Sequence, residues 1–196
     1  MEQYIKKGLI IFARKPVIGK VKTRLAATIG DLKALEIYKK LLMHTRAVAK
    51  SVSCDAFAFL TENDTDNFWQ GFSCELQTGE SLGDRMHEAF NLLFKKGYKH
   101  CIIIGSDCPG LTNEIINDAY VALNTNDVVI GAATDGGYYL LGMKKLHNSL
   151  FKNKNWSTEN VFTETLVDIK QHALTYKTLP VLHDVDEEKD VPAEWL

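Results

Sequence analysis

Apolar positions along this chain recur with two periods, and the two alternate. GLIIFA (residues 8–13) is a short continuous apolar run that ends at Lys15-Pro16. A run this short with no polar face predicts a strand buried on both sides. From Asp31 to about Lys50, residues Leu32, Leu35, Ile37, Tyr38, Leu41 and Leu42 fall at helical spacing, with Asp31 placed to cap the helix. CDAFAFL (54–60) reads as the next strand and FSCELQ (72–77) as a short one. Leu82 to Lys96 is amphipathic, with Met86, Ala89, Phe90, Leu93 and Phe94 on one side and Gly97 as its stop. HCIIIGS (100–106) predicts a strand and Thr112 to about Leu123 a helix. DVVIGAA (127–133) and YYLLGM (138–143) predict two more strands. A helix capped near Ser157 or Thr158 runs to about His172, and a strand near 174–179 leads into an acidic tail.

Strand and helix alternate almost throughout, with no repeat, linker or low-complexity stretch. That order predicts an α/β protein, one domain over residues 1–196, with a mostly parallel sheet and helices on both faces. Such sheets bind ligands beyond the carboxyl ends of their strands. The loops leaving those ends are therefore where chemistry is expected.

Charge sharpens the expectation. The formal net charge is −2, yet residues 1–50 carry 12 Lys and Arg against 3 Asp and Glu. Five of those cations crowd into ARKPVIGKVKTRLA (13–26): Arg14, Lys15, Lys20, Lys22 and Arg24. A basic turn at the end of a buried strand suggests an anionic ligand, whereas the lysines at 33, 39, 40 and 50 read as solvated helix faces. The longest apolar runs are too short to span a bilayer. No secretory signal is visible, and the four cysteines form no CxxC pair, which fits reduced thiols in the cytoplasm.

Four loops stand out. In the first, Gly19 lets backbone approach a ligand closely, and N–H groups with basic side chains suit a diphosphate, although the GxxxxGK[ST] and GxGxxG spacings are both absent. QTGESLGDRM (77–86) either lines the edge of a flat base or is only a helix-entry turn. IIIGSDCPG (102–110) delivers Asp107 to a strand end, as a ligand for Mg²⁺ or Mn²⁺ or as a helix cap, with Thr112 the better cap. In ATDGGYYLLG (133–142), Asp135 precedes Gly136-Gly137, a hairpin signal that also leaves room for a ligand.

FARKPVIGKVKTRL, QTGESLGDRM, IIGSDCPGLT, DGGYYLLG, WSTENV and DVDEEKDV, in that order, resemble the small stand-alone GT-A proteins usually labelled glycosyltransferases, some of them radical-SAM/selenodomain-associated transferases. The resemblance spans nearly the whole chain. It implies the three-layer α/β/α, Rossmann-like fold of the nucleotide-diphospho-sugar transferase superfamily, with a mostly parallel mixed sheet. It assigns Ala13, Arg14, Lys15, Gly19, Lys20, Lys22, Thr23 and Arg24 to the nucleotide phosphates. Gln77, Gly79, Gly83, Arg85 and Ser106 complete the nucleotide set. Asp107 falls where GT-A proteins keep a metal-binding carboxylate, and Asp184 and Asp186 match a late acidic motif that closes metal sites in nucleotidyltransferase relatives. Asp135, Gly136, Gly137, Tyr138 and Trp156 look like acceptor-side residues.

The implied chemistry is glycosyl transfer from a nucleotide-diphospho-sugar to a small acceptor. Mg²⁺ or Mn²⁺ and Lys22 would stabilise the leaving diphosphate, and Asp135 would serve as base. The alternative is guanylyltransferase-like nucleotidyl transfer to a phosphorylated small molecule with release of pyrophosphate. A non-catalytic nucleotide-binding protein ranks behind both. Nucleic-acid binding ranks last, because the cations form one turn rather than a stripe.

Overall fold

The computed structural model describes residues 5–195; residues 1–4 and 196, which fall within the expected domain of 1–196, lie outside it. Among the described residues, seven strands form one sheet: β1 (Lys7–Ala13), β2 (Asp55–Leu60), β3 (Ser73–Leu76), β4 (His100–Ile104), β5 (Val128–Ala133), β6 (Tyr138–Met143) and β7 (Tyr176–Leu182). Their order across the sheet is β3-β2-β1-β4-β6-β5-β7. Only β6 runs against the rest, paired antiparallel to both β4 and β5. The sheet is mixed and mostly parallel, as expected.

Five α-helices of the described residues cover it: α1 (Thr23–Ile29), α2 (Asp31–Ser51), α3 (Leu82–Lys95), α4 (Asn113–Ala122) and α5 (Val161–Gln171). Tyr38, Leu42 and Ala49 of α2 and Ile116, Ala119 and Tyr120 of α4 pack on one face against Leu9, Ile11, Ile102 and Ile104. Met86, Ala89, Phe90 and Leu93 of α3, with Ile169 of α5, pack on the other against Ile10, Cys101 and Ile103. The alternation of β1 and β4 between these clusters is why their runs are apolar at every position. Among the described residues, no helix is long and apolar enough to cross a membrane, and all four cysteines are free thiols.

Four local expectations need correction. The basic stretch is not loop throughout, because Thr23–Ile29 forms the separate helix α1. Gly30, at φ +84°, joins α1 to α2 and takes the N-cap position expected of Asp31. A glycine supplies that backbone turn without the steric cost a side chain would meet. The last helix begins at Val161 rather than near 157, since Ser157 sits at φ +65° and residues 157–160 remain a turn. The last strand runs on to Leu182, and the described part of the acidic tail after it forms two short 3₁₀ turns. Thr112 does cap α4, its hydroxyl accepting from Ile115 N–H.

The tail is anchored at Val185, which is fully buried in a satellite core with Leu25 of α1, Ala34, Ile37 and Leu41 of α2, and Val191. The Val185 N–H donates to the Asp107 carbonyl at 3.0 Å. Chain end, first turn and the exit of β4 are thereby tied together. Val185→Ala removes two buried carbons and leaves a small void, so it should cost about 1.5–3 kcal/mol in denaturant unfolding. A loss within about 0.5 kcal/mol of zero, the range of an ordinary surface substitution, would show that the tail is not docked.

Candidate active site

Since every strand except β6 points the same way, the loops after β1, β2, β3, β4 and β5 leave one edge of the sheet. Between them lies a cavity of about 530 Å³. Its first wall is the turn after β1, with Ala13, Arg14, Lys22, Thr23 and Arg24. The Tyr38 hydroxyl secures that turn, accepting from Arg14 N–H at 2.9 Å and donating to Arg14 C=O at 3.1 Å. Burial, and then the Asp107 carboxylate, push this phenol up to about 12. It therefore stays protonated and able to donate.

The base-side wall holds Gln77 and Arg85. The Gln77 amide donates to the carbonyls of Ala13 (3.3 Å) and Phe59 (2.9 Å), tying together the ends of β1 and β2. Arg85 Nε donates to the Gly79 carbonyl at 3.1 Å, closing the loop in which Gly79 adopts φ +129°. Ser81 and Asp84 form a capping box at the start of α3. Gly83 faces the indole of Trp156, and a Cβ there would lie 2.5 Å from the ring. Its role is close packing of that tryptophan.

The remaining wall carries Asp135, Gly137, Tyr138 and Trp156. The Asp135-Gly136-Gly137 turn is the β5–β6 hairpin. Asp135 Oδ1 accepts from Gly137 N–H at 2.8 Å. Gly136 has φ +88°, and a Cβ on it would meet the Glu159 carbonyl at 2.0 Å. It makes room for the chain entering α5 rather than for a ligand.

The acids gather differently from expectation. Asp135, Asp184 and Asp186 present carboxylate oxygens within 4.8 Å of one another. Asp107 is outside that group, and its Oδ1 lies 3.0 Å from Lys22 Nζ. The Lys22 side chain is only 6% exposed and also reaches Asp186 Oδ1 at 3.5 Å. Arg24 lies 3.3 Å from Asp186 Oδ2. The hard oxygen donors of the trio suit Mg²⁺ or Mn²⁺. Crowding supports the fit, because burial, followed by the nearby Asp135 and Asp186 charges, raises the Asp184 carboxyl to about 6. A divalent cation would relieve that repulsion.

The structure brings most of the expected residues into this cavity, including Ser106 at its floor. It leaves out Gly19, Lys20, Gly79, Gly83 and Gly136, and also Lys15, whose Nζ donates to Thr65 instead. Leu82, Met86 and Val161 line it from within the QTGESLGDRM and WSTENV stretches; Thr61 and Tyr38 line it as well, and no motif pointed to either. Thr61 follows β2, a strand end that the edge rule itself points to. Tyr38 was hidden because its spacing matches the apolar stripe of α2.

A family model, described as an uncharacterized protein conserved in bacteria (DUF2064), matches residues 42–158. A crystal structure from Desulfovibrio desulfuricans G20, described as a candidate nucleotide-diphospho-sugar transferase, is 30% identical. The alignment covers 94% of this chain and 84% of that one at a TM-score of 0.88. Fold-level likeness extends to 4-diphosphocytidyl-2C-methyl-D-erythritolsynthase from Anaerococcus prevotii DSM 20548 (15% identity, 95% of each chain, TM-score 0.61). It extends also to Rv0371C of Mycobacterium tuberculosis H37Rv in complex with manganese (12% identity, 95% of this chain and 96% of that one, TM-score 0.57). No curated protein matches the chain significantly in sequence.

The raised Asp184 carboxyl has a definite sign. Its folded value lies above the unfolded one, so its contribution opposes folding increasingly as pH rises from about 4 through 6. In chelator at about pH 7.5, Asp184→Asn should raise the melting temperature by about 2–4 °C, the response to ~1 kcal/mol in a domain of this size. The gain should shrink as pH falls toward about 4, the ordinary carboxylate range. A gain independent of pH would assign the effect to something other than this charge.

Proposed function

The chain belongs to the DUF2064 family and has the fold of the nucleotide-diphospho-sugar transferases, and we propose that it is a divalent-cation-dependent transferase moving a glycosyl group from a nucleotide-diphospho-sugar to a hydroxyl of a small acceptor. We place it in the cytoplasm as a single unit over residues 1–196. One observation carries the reading: three carboxylates and the cations Lys22 and Arg24 line the same cavity at the carboxyl edge of the sheet.

In this scheme the turn after β1 holds the diphosphate. Lys22 and Arg24 donate to its oxygens as charge builds on the leaving group; burial strengthens the Lys22 contact, whereas Arg24 is exposed. Asp107, bonded to Lys22 Nζ, aims that ammonium and is a positioning residue. Gln77, Gly79 and Arg85 frame the base. Asp135, Asp184 and Asp186 would hold the cation, which when bound neutralises charge on the departing diphosphate. Assigning Asp135 to the cation withdraws it from the role of free general base. Tyr138 and Trp156 form an aromatic wall for the acceptor.

The acceptor end favours a neutral substrate. The cations lining the cavity are Arg14, Lys22, Arg24 and Arg85. None of them is carried by the segments that supply Asp135, Tyr138 and Trp156, although Arg85 lies beside Met86, which Tyr138 touches. Nucleotidyl transfer to a phosphorylated acceptor would need positive charge there.

The two reactions release different products. A panel of nucleotide sugars and hydroxyl acceptors in Mn²⁺ should yield nucleoside diphosphate. Release of pyrophosphate from nucleoside triphosphates, with no nucleotide-sugar turnover, would replace this reading with nucleotidyl transfer. Lys22→Met keeps the alkyl stem and removes the ammonium. In Mn²⁺ it should weaken binding of the best nucleoside diphosphate by about 1.5–3 kcal/mol in calorimetry. Unchanged affinity would place the phosphates elsewhere.

A further inference from the structure

Cations and acids in this cavity share one carboxylate. Asp186 Oδ1 lies 3.5 Å from Lys22 Nζ and Asp186 Oδ2 lies 3.3 Å from an Arg24 terminal guanidinium nitrogen. The same side chain supplies one of the three carboxylates grouped with Asp135 and Asp184. The cations assigned to the phosphates are thus already paired; the partner they share belongs to the metal group, while Asp107, the nearer partner of Lys22, does not. We propose that Asp186 is a specificity latch that makes the site take the divalent-cation complex of a nucleoside polyphosphate and reject the metal-free nucleotide. This inference rests on the reading of the cavity as a nucleotide site.

A bare diphosphate approaching Lys22 and Arg24 competes with Asp186 for both. The released carboxylate then faces Asp135, Asp184 and the incoming phosphates with no positive partner, and uncompensated like charge at a partly buried site is costly. If the ligand arrives with a divalent cation, the released carboxylate gains a partner as the ammonium and guanidinium gain the phosphates. Both exchanges then conserve charge pairing. Local packing lets the side chain move alone. Val185 is anchored in the satellite core, the Asp186 backbone N–H donates to Asp190 Oδ2, and the Asp186 side chain is still 33% exposed.

A general lowering of negative charge would also help an anion bind, so a matched control is needed. Asp135 belongs to the same acidic group but, among the described residues, forms no ion pair with Lys22 or Arg24. Asp135→Asn removes the same charge without opening the latch.

The experiment measures affinity by calorimetry, in Mn²⁺ and in chelator, for the nucleoside diphosphate that binds wild type best in Mn²⁺. Wild type should bind in Mn²⁺ and weakly in chelator. In chelator, Asp186→Asn should bind about tenfold more tightly than wild type, and its gain from Mn²⁺ should fall. Asp135→Asn should gain less in chelator, because it relieves some of the crowding but leaves Asp186 paired with Lys22 and Arg24. Asp186→Ala repeats the measurement without an amide that can re-form the contacts, and thermal unfolding confirms that each variant is folded. If Asp186→Asn and Asp186→Ala bind no more tightly than wild type in chelator, or Asp135→Asn gains as much, the latch is overturned while the nucleotide site stands. If wild type binds no nucleoside diphosphate even in Mn²⁺, the nucleotide site falls and the latch with it.

Discussion

A single backbone hydrogen bond, Val185 N–H to the Asp107 carbonyl, sets the chemistry of this molecule. It fixes the chain's end across the exit of β4, with the Val185 side chain sealed among Leu25, Ile37 and Leu41. In an extended segment, neighbouring side chains point to opposite sides. Burying Val185 therefore turns Asp184 and Asp186 toward the cavity. Without that contact the acids would belong to a solvated tail, and Lys22 would face Asp107 alone.

The result is a site whose charges are balanced in pairs instead of left exposed. Lys22 is nearly sealed from solvent, and an ammonium so placed needs compensating charge. Asp107 and Asp186 supply it. Asp135 and Asp184 form no ion pair with a cation among the described residues, and burial, followed by the Asp135 charge, raises the Asp184 carboxyl. The imbalance is thus concentrated at one corner of the cavity, next to the aromatic wall.

Much of this was legible in the sequence because it depends on local pattern. The doubly apolar runs of β1 and β4, the amphipathic α3 and the Asp-Gly-Gly hairpin each follow from a few adjacent residues. The carboxyl-edge rule then placed the basic turn, Asp107 and Asp135 around one cavity. What escaped depended on tertiary distance. No local signal tells that Asp107 meets Lys22 while Asp135 joins the tail acids, since residues far apart in the chain settle both. Gly83 and Gly136 show the same limit. Both lie in glycine-rich loops that suggest ligand contact, but their missing side chains make way for Trp156 and Glu159.

The Gly83–Trp156 contact also has an evolutionary consequence. A hydrogen at position 83 and an indole at position 156 occupy one shared volume, so the two sites form a single heritable unit. Drift to alanine at 83 is closed while the tryptophan stays, because the added carbon would enter the ring. Replacement of the tryptophan by a smaller side chain would both deepen the aromatic wall and free position 83 to vary. Lineages that changed the shape of this wall should therefore show substitutions at the two positions together, in the order 156 first and 83 second.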